Sequence, residues 1–404
     1  MGVIRAAMAL AGEVNCNMRR GIAMRFIHTA DWHLGKLFGQ RHMTEDQAYV
    51  LEELRALCTE LRPDALVIAG DVYDRAIPPP EAVELFNEIL TKLSEQGIYV
   101  LFIAGNHDSA VRLGFGAQLL RASGIYLAGT IRHDETPIVL SDEFGDVYFS
   151  LLPYGDPSHV REAFSLDEAL SFDAALGVQI AAARAQIPPS ARSVAVAHAF
   201  VIGGQTSESE HPLSVGGSDQ VHAENFASYS YTALGHLHAP QRAGAEHIRY
   251  SGSLLKYSFD EARQQKGIEL IELNAAGDVS HTFYPLTPRH DVRIVSGRMD
   301  ELMHVDFDPL PHDDYICVEL LDTDAVLAAH EKLRRIYPNL FTITRPNIHV
   351  GSMSSVERSY ERGKSDLHLF GDFFAEMTTM QMTEAERQEL IRVIDSIEQG
   401  VRTQ

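Results

Sequence analysis

At 404 residues the chain exceeds what one hydrophobic core usually organises, so two or three domains are expected, and 45% apolar with 22% charged residues is a folded protein's balance. The formal net charge of −22 excludes a protein that grips nucleic acid through a broad basic surface of its own. Cys16, Cys58 and Cys317 are far apart and form no CxxC pair, which excludes a disulfide framework or a zinc cluster and fits a reducing, cytoplasmic setting.

Residues 1–23 carry Arg5, Arg19 and Arg20 around a weak apolar segment near Met8–Ala11, but Glu13 and two Asn interrupt it and no clean cleavage site follows. This stretch is read as a disordered or non-native extension, with Met24 as an alternative start. No run anywhere approaches the length of a membrane helix.

From residue 25 apolar runs alternate with amphipathic helices, the signature of an α/β layered domain over 24–287. Strands are predicted at Arg25–Thr29, Ala65–Ala69, Tyr99–Ala104, Val147–Leu152, Ser193–Ala197 and Tyr231–Leu234. Between them, Leu51, Leu54, Leu57, Cys58 and Leu61 recur at helical spacing, as do Val83, Phe86, Ile89, Leu90 and Leu93. After Pro288 a strand at Tyr315–Leu320, a helix through Val326–Arg335 and a strand at Leu340–Thr344 form a small α+β unit, 288–353. Residues 354–366 are a polar linker. In 367–404, Leu367, Phe370, Phe374 and Met377 mark one amphipathic helix, and Leu390, Ile391, Ile394 and Ile397 another, with a capping box at Thr383 and Glu386 and a stop at Gly400. Their apolar faces are buried either on this chain or on a partner.

Five segments carry the chemistry: HTADWHLG (28–35), AGDVYDR (69–75), AGNHDS (104–109), AVAHAF (195–200) and ALGHLH (233–238). Each follows a predicted strand, and the carboxyl ends of parallel strands share one edge, where ligand sites gather. Gly70, Gly105 and Gly235 permit close approach there. One strand-end His or Asp is more often a cap or turn residue. Five clusters together, mixing Asp, Asn and His without Cys, point to metal. Imidazole with carboxylate and amide oxygen suits manganese, iron or zinc better than calcium or magnesium. The donors outnumber what one ion takes, so two ions sharing a carboxylate are expected, the arrangement that activates water and stabilises an in-line phosphoryl transfer.

The ordered set DxH, GDxxD, GNHD, H and GHxH resembles the calcineurin-like metallophosphoesterases. Three stretches are similar to one branch of that superfamily, the SbcD nuclease subunits: HTADWHLG, then ALGHLHAPQ with YSGSLLKYSFDEA (250–262), and the tail LFGDFFAEMTTMQMT (369–383). The resemblance covers residues 24–404. It implies an α/β metallophosphoesterase β-sandwich flanked by helices, with a small α+β capping domain that selects DNA and C-terminal helices that bind a partner. Of two divalent ions, expected to be manganese, one would be held by Asp31, His33, Asp71 and His238, and the other by Asp71, Asn106, His198 and His236. His107 would be the acid that helps the 3′ oxygen depart. Asp108 would orient an imidazole or cap the helix beginning near Ser109. Asp74, grouped with Asp108 behind the ligands, stands where archaeal and eukaryotic relatives carry a second functional His, so a His-pair mechanism does not transfer.

Lys36, Arg41 and Arg112 are the DNA-contact candidates, with Lys256, Arg263 and Lys266 near the YSGS stretch; each competes with a reading as solvated charge. His28, His42 and His211 have no motif and are read as surface or turn histidines. The resemblance further implies an SbcC-like coiled-coil ATPase partner, a homodimer within a heterotetramer, no membrane, and DNA end processing, repair and recombination. Two competing readings are weighed. One is a metallophosphoesterase acting on a small phosphodiester or phosphoprotein, disfavoured by GNHD rather than GNHE. The other is a scaffold with a structural metal, disfavoured by a complete ligand set beside His107.

Overall fold

The computed structural model describes residues 23–210, 219–324, 326–347, 382–384, 387, 388 and 390–392. The expected N-terminal extension up to residue 22, the linker, His211, Glu386, Gly400 and nearly all of the two C-terminal helices lie outside the described residues. The chain divides into two compact units, the first reaching Ile294 and including Asp313–Ile316, the second holding Val295–His312 and the chain from Cys317.

In chain order the first unit's long strands are β1 Met24–Thr29, β2 Ala65–Ile68, β3 Tyr99–Ile103, β4 Ile125–Ala128, β5 Ile138–Asp142, β6 Gly145–Leu152, β7 Arg192–His198, β8 Tyr231–Gly235, β9 Gln241–Ala243, β10 Ala245–Tyr250, β11 Gly267–Leu273 and β12 Val279–Pro285. They form two six-stranded sheets, ordered β12-β11-β1-β2-β3-β4 and β9-β10-β8-β7-β6-β5. Each sheet is parallel at its centre: β1, β2, β3 and β4 run together, as do β6, β7, β8 and β10. The outer strands β11, β12, β5 and β9 pair antiparallel. Central strands are covered on both faces, which is why β2 and β7 are buried at every position.

The core between the sheets holds Phe26, Val67 and Leu101 from one side and Phe149, Val196 and Tyr231 from the other. The Phe26 ring meets Phe149 and Tyr231 edge-on at 5.4 and 5.7 Å. Helices α1 (Thr44–Leu61), α2 (Pro80–Glu95) and α3 (Phe172–Arg184) supply the outer layers. On α2 the buried stripe is Ala82, Phe86, Ile89, Leu90 and Leu93, and Val83 is 44% exposed, so the predicted face is rotated by one residue at its start.

His28 is not a surface or turn residue. It lies wholly buried in β1, with Nδ1 against the Tyr231 hydroxyl at 2.9 Å and Nε2 against the Leu234 carbonyl at 3.1 Å. Burial pushes its pKa down to about 3, so it is a neutral core histidine. His42 is exposed, in a two-residue strand.

A three-stranded sheet is formed by Val292–Gly297, Tyr315–Leu320 and Leu340–Thr344 in that order. The predicted helix shrinks to Ala329–Leu333, because Ala328 takes a left-handed conformation at φ 53° and Leu327 stays exposed.

Candidate metal centre

The five ligand-bearing segments leave the carboxyl ends of five parallel strands, three adjacent in one sheet (β1, β2, β3) and two adjacent in the other (β7, β8). The loops after β1 and β2 are zipped together: Asp31 N donates to Gly70 O, His33 N to Asp71 O and Leu34 N to Val72 O, at 3.1, 3.0 and 2.9 Å. Asp31, His33, Asp71 and His236 all take positive φ without being glycine, a strained backbone that persists only where its surroundings dictate it. Gln47 of α1 holds one such turn, donating from Nε2 to the carbonyls of Trp32 and His33 and accepting from Gly35 N, while the Tyr257 hydroxyl donates to Trp32 O at 2.6 Å.

The structure brings all seven predicted ligands into one cluster. His33 Nε2 lies 3.0 Å from His238 Nε2 and 3.7 Å from Asp71 Oδ2. On the other side, His198 Nε2 lies 3.5 Å from Asp71 Oδ2 and 2.9 Å from Asn106 Oδ1, which is 3.3 Å from His236 Nδ1. Asp31 accepts the His236 amide at 2.9 Å, with His198 Nδ1 3.9 Å away. Asp31, His33 and His238, and again Asp31, Asp71 and His198, hold ligand atoms close enough for one ion each. Asp71 faces both groups.

The donor set fits divalent metal. His33 and His238 aim ring nitrogens at one another inside the protein, and 3.0 Å is the spacing of adjacent ligands whose bonds to one ion are about 2.1 Å. His198 Nδ1 donates to the Ala69 carbonyl at 2.9 Å, which turns Nε2 toward Asn106 and Asp71. Burial pushes His33 and His236 down to about 3, so both are neutral and ready to ligate. His198 differs: although burial works against its charge, Asp71 and then Asp31 raise it to about 9.

His107, half-buried, donates Nδ1–H to the Asp74 carbonyl at 2.8 Å, and its Nε2 lies 3.9 Å from Asp71 Oδ2. Asp74 reaches toward His33 Nδ1 at 3.5 Å. Asp108 takes neither predicted role. Ser109 occupies the N-cap of Ala110–Leu113, and the Asp108 carboxylate accepts the amides of Val72, Tyr73 and Gly105 at 3.1, 2.9 and 3.0 Å, stapling the Asp71 loop to the Asn106 loop. Burial, and then the charge of Asp71, push its carboxyl up to about 7.

The basic candidates divide. Lys36 is 9% exposed and bonded to Asp74 at 2.8 Å over the Tyr257 ring, so it braces the site rather than offering a free cation. Lys266 is buried in an ion pair with Glu261, and Lys256 is taken up by Asp291 and two carbonyls. Arg41, Arg112 and Arg263 are exposed. The sequence reading missed Gln47, Ser209, Glu210 and Glu261. Of these, Glu261 lies in the stretch 250–262 that carried the resemblance, and an acidic residue in that setting was the available signal.

Residues 24–178 match the family model of the calcineurin-like phosphoesterases, and residues 288–378 match the SbcD_C model, described as the type 5 capsule protein repressor C-terminal domain. The D subunit of the SbcCD nuclease from Staphylococcus epidermidis is 29% identical over 376 residues, 93% of this chain and 99% of that protein. A protein from Thermus thermophilus aligns at TM-score 0.38 and 12% identity over 65% of this chain and 99% of its own. A dimetal phosphatase from Danio rerio aligns at TM-score 0.36 and 13% identity over 66% of this chain and 98% of its own. With both family models matched in order and a relative spanning them, the chain is similar to the SbcD subunits of the SbcCD nucleases and, over residues 24–178, to the calcineurin-like phosphoesterases.

Proposed function

We propose that this chain is the metal-dependent nuclease subunit of a complex with an SbcC-type ATPase, hydrolysing DNA phosphodiesters at double-stranded ends and nicking hairpins or single strands in end processing, repair and recombination. The observation that carries the hydrolase reading is the convergence of Asp31, His33, Asp71, Asn106, His198, His236 and His238 at one edge of the sandwich. Two divalent ions bound there, which we take to be manganese, would polarise a phosphoryl oxygen and lower the pKa of bound water. The first ion would be held by Asp31, His33, Asp71 and His238, the second by Asp71, Asn106, His198 and His236.

The protein's own groups do the rest. With Nδ1–H donated to the Asp74 carbonyl, His107 would act as an acid in its imidazolium form, giving the Nε2 proton to the departing 3′ oxygen and keeping the one on Nδ1. Asp108 and Gln47 keep the loops from relaxing. The net charge of −22 makes a partner the natural source of most of the DNA grip, with Arg41 and Arg112 as local contacts. The segment 288–353 would act as the capping domain, and 367–404 would dock the ATPase. Among the described residues no helix is long and apolar enough to cross a membrane.

A homodimer within a heterotetramer is the assembly we favour. Val111, Phe115 and Leu119 follow His107 at four-residue intervals, are 74%, 86% and 82% exposed, and line one open groove. Single exposed apolar side chains are ordinary, but a cluster of this kind marks a contact surface.

The deciding experiment measures bound metal and offers the purified chain, with Mn²⁺, linear DNA, a cyclic nucleotide and a phosphopeptide, with and without the SbcC-type subunit and ATP. Cleavage of DNA supports the reading, and turnover of only the other two substrates would overturn it. The variant His107→Leu is expected to abolish cleavage while metal content and partner binding stay intact.

A further inference from the structure

His238 ends the ALGHLH segment with its ring buried. One ring nitrogen, Nε2, faces His33 across 3.0 Å. The other, Nδ1, meets the Ser209 hydroxyl at 2.6 Å, with Glu261 Oε1 behind it at 3.4 Å. Ser209 Oγ in turn bonds Glu261 Oε1. Glu261 is wholly buried and pairs with Lys266 Nζ at 2.6 Å, while the Tyr257 amide donates to it and Ser258 Oγ, whose shorter bond goes to Asp260 Oδ1, lies 2.9 Å away. The His238 carbonyl, Ser253 Oγ and Gln264 Oε1 also lie 2.8, 2.9 and 2.7 Å from Lys266 Nζ and share its remaining protons. Glu210, beside Ser209, accepts the His238 amide at 2.6 Å.

The proton count along this chain has one solution. Glu261 faces the Lys266 ammonium at 2.6 Å and accepts the Tyr257 amide, so its carboxylate is an acceptor only. A serine hydroxyl owns one proton, and here it goes to the carboxylate. Toward His238 the same oxygen can then only accept, which requires the imidazole proton to sit on Nδ1. The lone pair is left on Nε2, on the side where His33 and Asp31 gather. With the proton on Nε2 instead, the Nδ1 and Oγ lone pairs would face each other at 2.6 Å.

We propose that Ser209 and Glu261, anchored by Lys266, are positioning residues that fix the tautomer and ring orientation of His238 so that Nε2 is presented to the ion shared with His33 and Asp31. This rests on reading His238 as a ligand. A packed core ring needs no such relay, whereas a ligating ring gains basicity and a defined direction from a hydrogen-bonded partner behind it. Glu210 holds the same residue through its backbone, so the segment 207–210 grips His238 at two points.

The test is calorimetric titration of Mn²⁺ into the full-length, chelator-stripped chain. The parent is expected to bind two ions. Ser209→Ala, which leaves the Glu261–Lys266 pair whole, is expected to weaken one of the two by about 10–100-fold and spare the other. Ser209→Thr, which keeps a hydroxyl, restores it. Ser258→Ala removes a different hydroxyl from beside the same carboxylate without touching His238, and is expected to titrate like the parent. In ¹⁵N spectra of the metal-free parent, His238 shows a protonated Nδ1 and a bare Nε2, and Ser209→Ala loses that pattern. A Ser209→Ala titration equal to the parent's overturns the relay. So does a Ser258→Ala chain weakened as much as Ser209→Ala. A parent that binds no Mn²⁺ overturns the ligand reading itself.

Discussion

Gly105→Ala tests whether the site depends on backbone packing as closely as the geometry requires. A Cβ at this position would stand 2.1 Å from Asp71 Oδ1, 2.4 Å from Asp71 N and 2.8 Å from Asp71 Cγ. Rotating the carboxylate away relieves the first and third contacts but not the second, because the amide nitrogen belongs to the loop. Ordinary contact therefore requires the two loops to part by about 1 Å. Overpacking of this kind costs about 1–3 kcal/mol of stability, and misplacing a reacting group by about 1 Å can cost about 100-fold in rate. The movement also breaks the His107 amide bond to Asp71 Oδ1, 2.9 Å, and the Val72 and Tyr73 amide bonds to Asp108, 3.1 and 2.9 Å. The expected outcome is a folded chain, shown by circular dichroism, melting several degrees lower, with weakened metal retention and cleavage reduced by about two orders of magnitude. Gly177→Ala is the control. It lies inside α3 with only Asn225 Oδ1 near, at 3.7 Å, so it should gain about 0.5–1 kcal/mol and leave activity unchanged. Full activity and metal content in Gly105→Ala would refute the claim that these loops are held in contact.

Asp108→Asn keeps the shape of the staple but turns one acceptor into a donor facing backbone amides, so about 1–3 kcal/mol and much of the activity should be lost; urea melts and cleavage rates that match the parent would refute it. Asp142→Asn breaks the buried pair with Arg192, whose two nitrogens lie 2.7 and 2.6 Å from the carboxylate, at a cost of about 3–5 kcal/mol near neutral pH. Against its burial, Arg192 and the amides of Phe144 and Met24 hold this carboxyl below its ordinary value, so its contribution is full above about pH 4 and lost as pH falls through the lowered value. Parent and variant melts should therefore converge in acid, and a gap that persists there would contradict the assignment. Phe115→Asp should yield a monomer by light scattering with metal binding intact, and an unchanged mass would remove the exposed stripe as the dimer contact.

How much of this was legible in the sequence follows from how far each residue acts. A ligand at a strand's carboxyl end announces itself locally, because the apolar run before it is visible and only a few residues separate strand from donor. Asp31, Asp71, Asn106, His198 and His236 all have that form. The strands of the sandwich's far side do not: β9 is three residues long, and β12 reads VSHTFYP with most side chains exposed, so neither shows the alternation by which a half-buried strand is recognised. His28 was misread for the opposite reason, since β1 is covered on both faces and a polar side chain on it has nowhere to go but inward. The residues that orient ligands are harder still. Tyr257 is 225 positions from the Trp32 carbonyl it bonds, and Ser209 is 29 from the ring it touches. Such a group needs only to come within hydrogen-bond reach, from any element and with any neighbours, so no spacing rule can select it. Lys266 shows the consequence: its charge suggested a surface, whereas the fold had already matched that charge to a buried carboxylate beside the proposed metal ligands.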